Sequence, residues 1–195
     1  MTIHTSSFDE IISSRAALVL AFAWGLAEAT FFFIVPDVLL TLIACRALRP
    51  ALKASIVALA GALVGGALMY AFGTREPNSA RIFLDYVPAI SPALVTSVAA
   101  QINESGLLAV MLGPLKGIPY KIYAVEWGAR HRSFVAFMLV SIPARYIRFF
   151  LSAVGVRAIT RLIEPLTHHR APVELFLLTI FWIVFYAFYF SRSGW

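Results

Sequence analysis

The sequence predicts an all-α integral membrane protein with a single membrane domain, residues 1–195. Of its 195 residues, 61% are hydrophobic and 13% are charged, and the mean hydropathy is +0.84. Soluble domains carry about 25% charged residues. Two of the apolar runs are interrupted by prolines and charges, which predicts two inverted repeats. Each repeat is a re-entrant helical hairpin followed by a transmembrane helix, with a further C-terminal transmembrane helix after them.

The first predicted hairpin covers residues 16–45, where Glu28 and Asp37 are the charged residues. As one straight helix this run would be about 45 Å long, against a hydrocarbon core of about 30 Å. Pro36 lacks an N–H and clashes with the preceding turn, so we expect a structural break there. A spanning helix with a short interfacial continuation is the alternative. A carboxylate at bilayer depth is costly, which makes Glu28 a functional-site candidate.

The segments around this hairpin complete the first half of the chain. Residues 1–14 have apolar side chains at helical spacing and predict an interfacial segment, with a solvated N-terminal tail as the alternative. A basic turn at 46–53 leads into a predicted transmembrane helix at 54–73, which is uncharged throughout. Prolines argue against a span in residues 74–105, so we interpret that stretch as an interfacial connection with short helices.

The second predicted hairpin covers residues 106–129 and carries Lys116 and Lys121. Glycines and prolines disrupt helix geometry here at what should be mid-membrane depth. Irregular backbone is tolerated at that depth only where protein buries it or where it lines a wet cavity. The expected structural breaks of this segment are Gly113, Pro114, Gly117 and Pro119.

Residues 133–155 predict the transmembrane helix of the second repeat. Arg145 and Arg148 are three residues apart, so they share one face of this helix. Pro143 lies just before them and is expected to open the backbone beside them. Both arginines are therefore candidates for a polar site inside the membrane.

A polar connection at 157–172 and a transmembrane helix at 173–190 follow. His168 and His169 lie in the connection without an acidic cluster nearby, so we interpret them as loop histidines rather than metal ligands. Cys45 is the sole cysteine of the sequence, which rules out an intramolecular disulfide. The sequence therefore predicts neither a metal site nor a cofactor.

The net charge of the chain indicates what kind of partner it binds. The net charge is +6 and the pI is about 9.8. The cations lie in short connections between apolar runs, so membrane lipids with anionic or phosphate head groups are the predicted partners, and nucleic acid is not. The N-terminus carries Asp9 and Glu10 in place of a basic region, so it does not predict a cleaved signal peptide. A homo-oligomer is left open.

With these motifs the chain resembles the DedA family of SNARE-associated (VTT-domain) membrane proteins over about residues 20–155. The matching features are a membrane-embedded Glu, a Pro followed by an acid, a Gly-rich helix ending near Y-x-x-G, a basic Gly/Pro segment and a helix with arginines. They correspond to Glu28, Pro36-Asp37, Gly61, Gly65 and Gly66 with Tyr70 and Gly73, Gly113 to Lys121, and Arg145 with Arg148.

The chain also departs from the family pattern. Either Lys116 or the nearby Gly113-Pro114 stands where an arginine usually opens the second motif, and the Gly-rich helix lacks an acid near Gly66 and Ala67. The resemblance implies two facing re-entrant hairpins in a bacterial cytoplasmic (inner) membrane. It also implies movement of a phospholipid or polyprenyl phosphate across that membrane, or support of envelope homeostasis.

The charged residues inside apolar runs form the site hypothesis. Two acids would form one half of a central cavity, and the cations would form the other half and bind a lipid phosphate. Burial would also make the acids candidates for proton-linked gating. The alternative is that acids and bases simply neutralise one another in the interior. The residues are Glu28, Asp37, Lys116, Lys121, Arg145 and Arg148.

Three functions are consistent with this pattern. The first is a flippase- or scramblase-like carrier of a phosphate-bearing lipid. The second is a proton-coupled transporter of a small soluble solute, and the third is a membrane assembly factor without transport. An enzyme is not expected, because the sequence has no nucleophile elbow, zinc-protease, P-loop or dinucleotide motif.

Overall fold

The computed structural model describes residues 14–163, 165 and 171–193, and these are all-helical, with 85% of residues in helix and no strand. The predicted segment 1–14, apart from Ser14, lies outside the described residues, as do His168 and His169. The helices are α1 Arg15–Thr30, α2 Asp37–Arg46, α3 Leu48–Arg75, α4 Pro77–Asp85, α5 Pro92–Ser105, α6 Leu107–Leu112, α7 Tyr120–Ala129, α8 Phe134–Ile163 and α9 Ala171–Ser193, with a 3₁₀ turn at Pro114–Lys116.

Three helices are long and apolar enough to cross a membrane. They are Leu48–Arg75, Phe134–Ile163 and, within α9, Val173–Ser191. The all-α membrane prediction is thereby confirmed at this level. The first of these helices begins at Leu48 rather than at residue 54, because Ala47 alone separates it from α2. Pro50 fits inside its first turn, where a missing N–H costs no helical hydrogen bond.

The prediction of a break at Pro143 is wrong, since this proline lies inside α8, a continuous helix of 30 residues. A proline removes one hydrogen bond of a helix, and here the buried residues on both sides, Ser141 and Arg145, hold the backbone in place. The helix also runs past residue 155 into the predicted polar connection. Arg161 lies in its last turn, where a cation interacts favourably with the helix dipole.

Glycines let α1 and α3 approach closely. A Cβ built on Gly61 would overlap the carbonyl oxygen of Phe22, and one on Gly25 would overlap that of Ala58. Gly61 faces Phe22 and Leu26, while Gly65, one turn later, faces residues 26–30. The two helices therefore run parallel. The 10-residue helix α2, which connects them in sequence, has to return toward the starting level of α1.

The second half of the chain packs on the other end of α3. Tyr120 of α7 lies against Gly66, and Val125 lies against Gly73, so α7 also runs parallel to α3. Helix α8 then returns in the opposite direction: Ser141 accepts a hydrogen bond from Tyr120, and Arg157 donates to the carbonyl of Cys45 at the end of α2. The breaks at 31–36 and 113–119 consequently meet near the level of Gly65 and Gly66.

Candidate functional site

A cavity of about 510 Å³ lies where the two breaks meet. Side chains of the first break and α2 line one part of it, and those of the second break and α7 line another. Helices α1, α8 and α9 and the loop at 87–90 complete the wall. The sequence-predicted residues that line it are Glu28, Asp37, Lys116, Lys121 and Arg148, together with the breaks Gly117 and Pro119.

Glu28 and Arg145 form an ion pair in the protein interior. Arg145 is 0% exposed and Glu28 is 3% exposed. One guanidinium nitrogen donates to Glu28 Oε1 at 3.3 Å and another contacts Oε2, while the rings of Tyr120 and Phe149 each lie 5.0 Å from the guanidinium carbon. Arg145 thus lies behind Glu28 and does not line the cavity itself, which corrects its predicted place in the wall.

Asp37 at the start of α2 is the second paired acid. Its Oδ2 accepts from Arg148 at 2.8 Å, and its Oδ1 accepts from the hydroxyl of Ser152 at 2.6 Å. Asp37 occupies the first helical turn, where a negative charge is favoured by the helix dipole. Both predicted acids line the cavity, and both are bound by arginines of α8. The cavity and the mutual neutralisation of acids and bases, which were predicted as alternatives, therefore occur together.

Lys121 connects the two breaks. Its side chain is 2% exposed, and Nζ donates to the carbonyl oxygen of Phe32 at 2.7 Å. This carbonyl lies in the irregular stretch after α1, and a buried polar group without a partner is costly. The ammonium group of Lys121 therefore holds the first break against the second.

We expect Lys121→Met to loosen the first break without unfolding the protein, because methionine retains the apolar stem but not the donor. Hydrogen exchange of the amides at 31–35 should accelerate by about tenfold, which corresponds to roughly 1.4 kcal/mol. Amides of α5 serve as the internal control. Unchanged exchange at 31–35 would show that Lys121 does not hold this break.

Lys116 differs from the other cations of the cavity. It is exposed, and no hydrogen bond or ion pair joins it to another residue in the described part of the chain. The 3₁₀ turn Pro114–Lys116 positions it, and Gly117 follows with φ +85°, a left-handed conformation that glycine adopts without strain. Lys116 thus supplies the cavity with a cation that is available to a ligand.

Helix α9 supplies an aromatic wall that the sequence did not assign to the site. Tyr186 accepts a hydrogen bond from the Val35 amide at 2.8 Å, and the indole of Trp182 donates to Thr41 at 3.0 Å. Both rings line the cavity, as does Ser152. In the sequence these residues look like ordinary lipid-facing or packing residues, and no local signal distinguishes them.

Glu126, a further buried acid in α7, lies outside the cavity. Its carboxylate binds Arg81 at 2.7 Å and also contacts Arg130 in a separate cluster near the ends of α4 and α7. The remaining expected breaks take ordinary local roles. Pro36 directly precedes α2, Gly113 ends α6, Pro114 opens the 3₁₀ turn and Pro119 precedes α7.

Comparison with known proteins adds one distant relative. No family model matches the chain, and no solved structure matches it. An uncharacterized protein of Haemophilus influenzae is 27% identical over 131 residues. The chain spans about 65% of the length of that protein, and the matched part is 65% of this chain. Because that protein is itself uncharacterized, the match indicates no function.

Proposed function

We propose that this protein is a flippase- or scramblase-like membrane carrier that moves a phosphate-bearing lipid, either a phospholipid or a polyprenyl phosphate, through the cavity between the two breaks. The observation that carries the proposal is which charged groups of this cavity are already paired. Its two acids, Glu28 and Asp37, are already bound by arginines, whereas Lys116 has no described partner. The group that such a site accepts is an anion.

The charges that line the cavity support an anionic ligand. Two acids and three cations face it, so the lining carries a net charge of +1 before Arg145 is counted. Lysine offers a point charge with three donors, which suits a phosphate oxygen. Lys116 is exposed and has no described partner, so a phosphate can reach its ammonium group without first displacing an ion pair.

The shape of the wall favours a lipid over a soluble solute. Apolar and aromatic side chains of α9 face the cavity beside its charges, among them Phe185 and Tyr186. The outer side of the same helix is apolar as well, with Ile183 64% exposed and Val184 61% exposed. An amphiphile would therefore find charged groups for its head group in the cavity and an apolar surface for its chain on α9.

Within this proposal the breaks are the tips of two re-entrant hairpins. The first hairpin consists of α1 and α2 and the second of α6 and α7, and they enter from opposite faces as an inverted pair. The parallel packing of α1 and α7 on α3, with the tips at the same level, supports it. This arrangement is the one that the DedA resemblance implies, and the inner membrane remains its proposed location.

A vesicle assay tests the proposal. Purified protein is reconstituted into liposomes with a fluorescent phosphatidylglycerol analogue, and the accessibility of the head group to an impermeant quencher is followed over time. We expect wild type to equilibrate the two leaflets, and Lys116→Gln to slow this at least about tenfold through loss of a charge-assisted contact. Arg75→Gln, which removes an exposed cation far from the cavity, is the matched control.

A second arm separates the alternative transporters. The same liposomes are loaded with glycerol phosphate, with and without an imposed pH gradient. Efflux of this soluble phosphate without lipid movement would favour the solute transporter. Movement of neither compound by well-folded protein would overturn the carrier proposal and leave an assembly role.

A further inference from the structure

The two ends of the helix assembly differ in the state of their cations. Arg15 opens α1, α3 begins with Arg49 and Lys53 in its first two turns, and Arg161 lies in the last turn of α8. The parallel packing of α1 on α3 and the contact of Arg157 with Cys45 place these helix ends at the same end of the molecule. All four side chains are exposed. We call Arg15, Arg49, Lys53 and Arg161 the basic rim.

No acid binds the basic rim within the described residues. None of its four side chains has a hydrogen bond or an ion pair there. The acid that begins α9 at this end, Glu174, is buried at 7% exposure. Four cations therefore project from one end without a described counter-charge.

Cations at the opposite end are engaged instead. Arg81 and Arg130 bind Glu126, and Arg132 lies 5.1 Å from the ring centre of Trp127. Arg75 is exposed there, but exposed acids such as Glu76 lie at the same end. At the rim end Arg46 and Arg157 are engaged as well, so the asymmetry lies in the exposed cations without a described partner, which are the four of the basic rim at one end and Arg75 at the other.

Helix stability does not explain the rim. Arg15 and Arg49 lie in the first turns of α1 and α3, where the helix dipole disfavours positive charge. Arg161 lies in a last turn, where a cation is favoured. A negatively charged surface close to this end would reverse the unfavourable balance at Arg15 and Arg49.

We propose that the basic rim is an interaction surface for the anionic phospholipid head groups of one leaflet, and that this leaflet is the cytoplasmic one. Exposed cations at the membrane boundary attract anionic lipids, and cytoplasmic ends carry an excess of Lys and Arg. The cavity plays no part in this surface, so the proposal holds or fails independently of lipid transport.

Thermal unfolding of the full-length protein in detergent tests the lipid half. We expect phosphatidylglycerol to raise Tm more than phosphatidylcholine or inorganic phosphate does. Salt at 0.5 M should reduce this difference, because it screens exposed charges. Arg49→Gln with Lys53→Gln should lose at least about half of this shift. Arg75→Gln, on the other end of the same helix, should keep it. Equal shifts in both variants, or an equal shift with phosphatidylcholine, would overturn the proposal.

A soluble polyanion provides the competing occupant. Heparin that stabilises the protein as much as phosphatidylglycerol does, with the same loss in the rim variant, would indicate a polyanionic macromolecule and overturn the lipid assignment.

Labelling in intact cells tests the leaflet. In a Cys45→Ala background, Ala16→Cys marks the rim end and Asn78→Cys marks the opposite end, and both positions are exposed. An impermeant maleimide should label position 78 in intact spheroplasts, and position 16 only after permeabilisation. The reverse pattern would overturn the cytoplasmic assignment even if the lipid response is present.

Discussion

Arg145→Ala should destabilise the protein by about 3–5 kcal/mol, because it leaves the carboxylate of Glu28 buried without its counter-ion. The rings of Tyr120 and Phe149 also lose the guanidinium between them, at roughly 0.5–1 kcal/mol each. Arg145→Lys should recover only part of the loss, since an ammonium group provides neither the planar fork nor the stacking surface. The measurement is the free energy of unfolding in mixed micelles, compared with wild type.

A paired replacement separates stability from function at this position. Glu28→Leu with Arg145→Met removes both charges and keeps most of the volume, so its stability should return to within about 1–2 kcal/mol of wild type. Head-group translocation should stay low in this variant, because Glu28 lines the cavity. If the double variant is both stable and fully active, the pair is structural only and Glu28 has no part in transport.

Gly61→Ala should separate α1 from α3 and cost about 1–3 kcal/mol or more, because the new methyl group would overlap the backbone of Phe22. The carbonyl of a helix backbone has little freedom to move aside. Since α1 carries Glu28 and precedes the first break, translocation should fall together with stability. Unfolding and translocation are measured on the same preparation.

Gly155→Ala is the matched control, since it is also a helical glycine within a membrane-length helix. Nothing lies within 4 Å of a Cβ built there. Alanine has a higher helix propensity than glycine, so this variant should be unchanged or more stable by up to about 1 kcal/mol. Equal destabilisation of both variants would mean that helix propensity or lipid exposure, rather than the contact with α1, governs Gly61.

Composition and the uncharged runs were sufficient to predict a helical membrane protein, because the bilayer requires long apolar helices. The ends of the helices were harder to predict. The start of α3 was missed because the basic turn at 46–53 looks polar, although Pro50 is compatible with a first turn. Pro143 was misjudged for a related reason: local preference favours a break, and packing on both sides of it overrides that preference.

The site was predictable in its members but not in its pairs. Charges inside apolar runs are expensive, which identified Glu28, Asp37, Arg145 and Arg148. Their pairing joins residues 117 and 111 positions apart, and no local spacing contains that information. Ser152, Trp182 and Tyr186 were missed because a serine or an aromatic residue in a membrane helix is common. Only the fold gives them a role.

The attachment of α9 sets how easily the cavity opens toward the lipid. The other walls belong to helices and breaks that pack around α3. Two hydrogen bonds join α9 to the first break and α2: the Tyr186 hydroxyl accepts from the Val35 amide, and the Trp182 indole donates to Thr41. Breaking two such bonds costs roughly 2 kcal/mol. An outward movement of α9 would also have to break the ring contact between Phe33 and Phe190. This route would let a head group enter sideways while its chains never leave the bilayer.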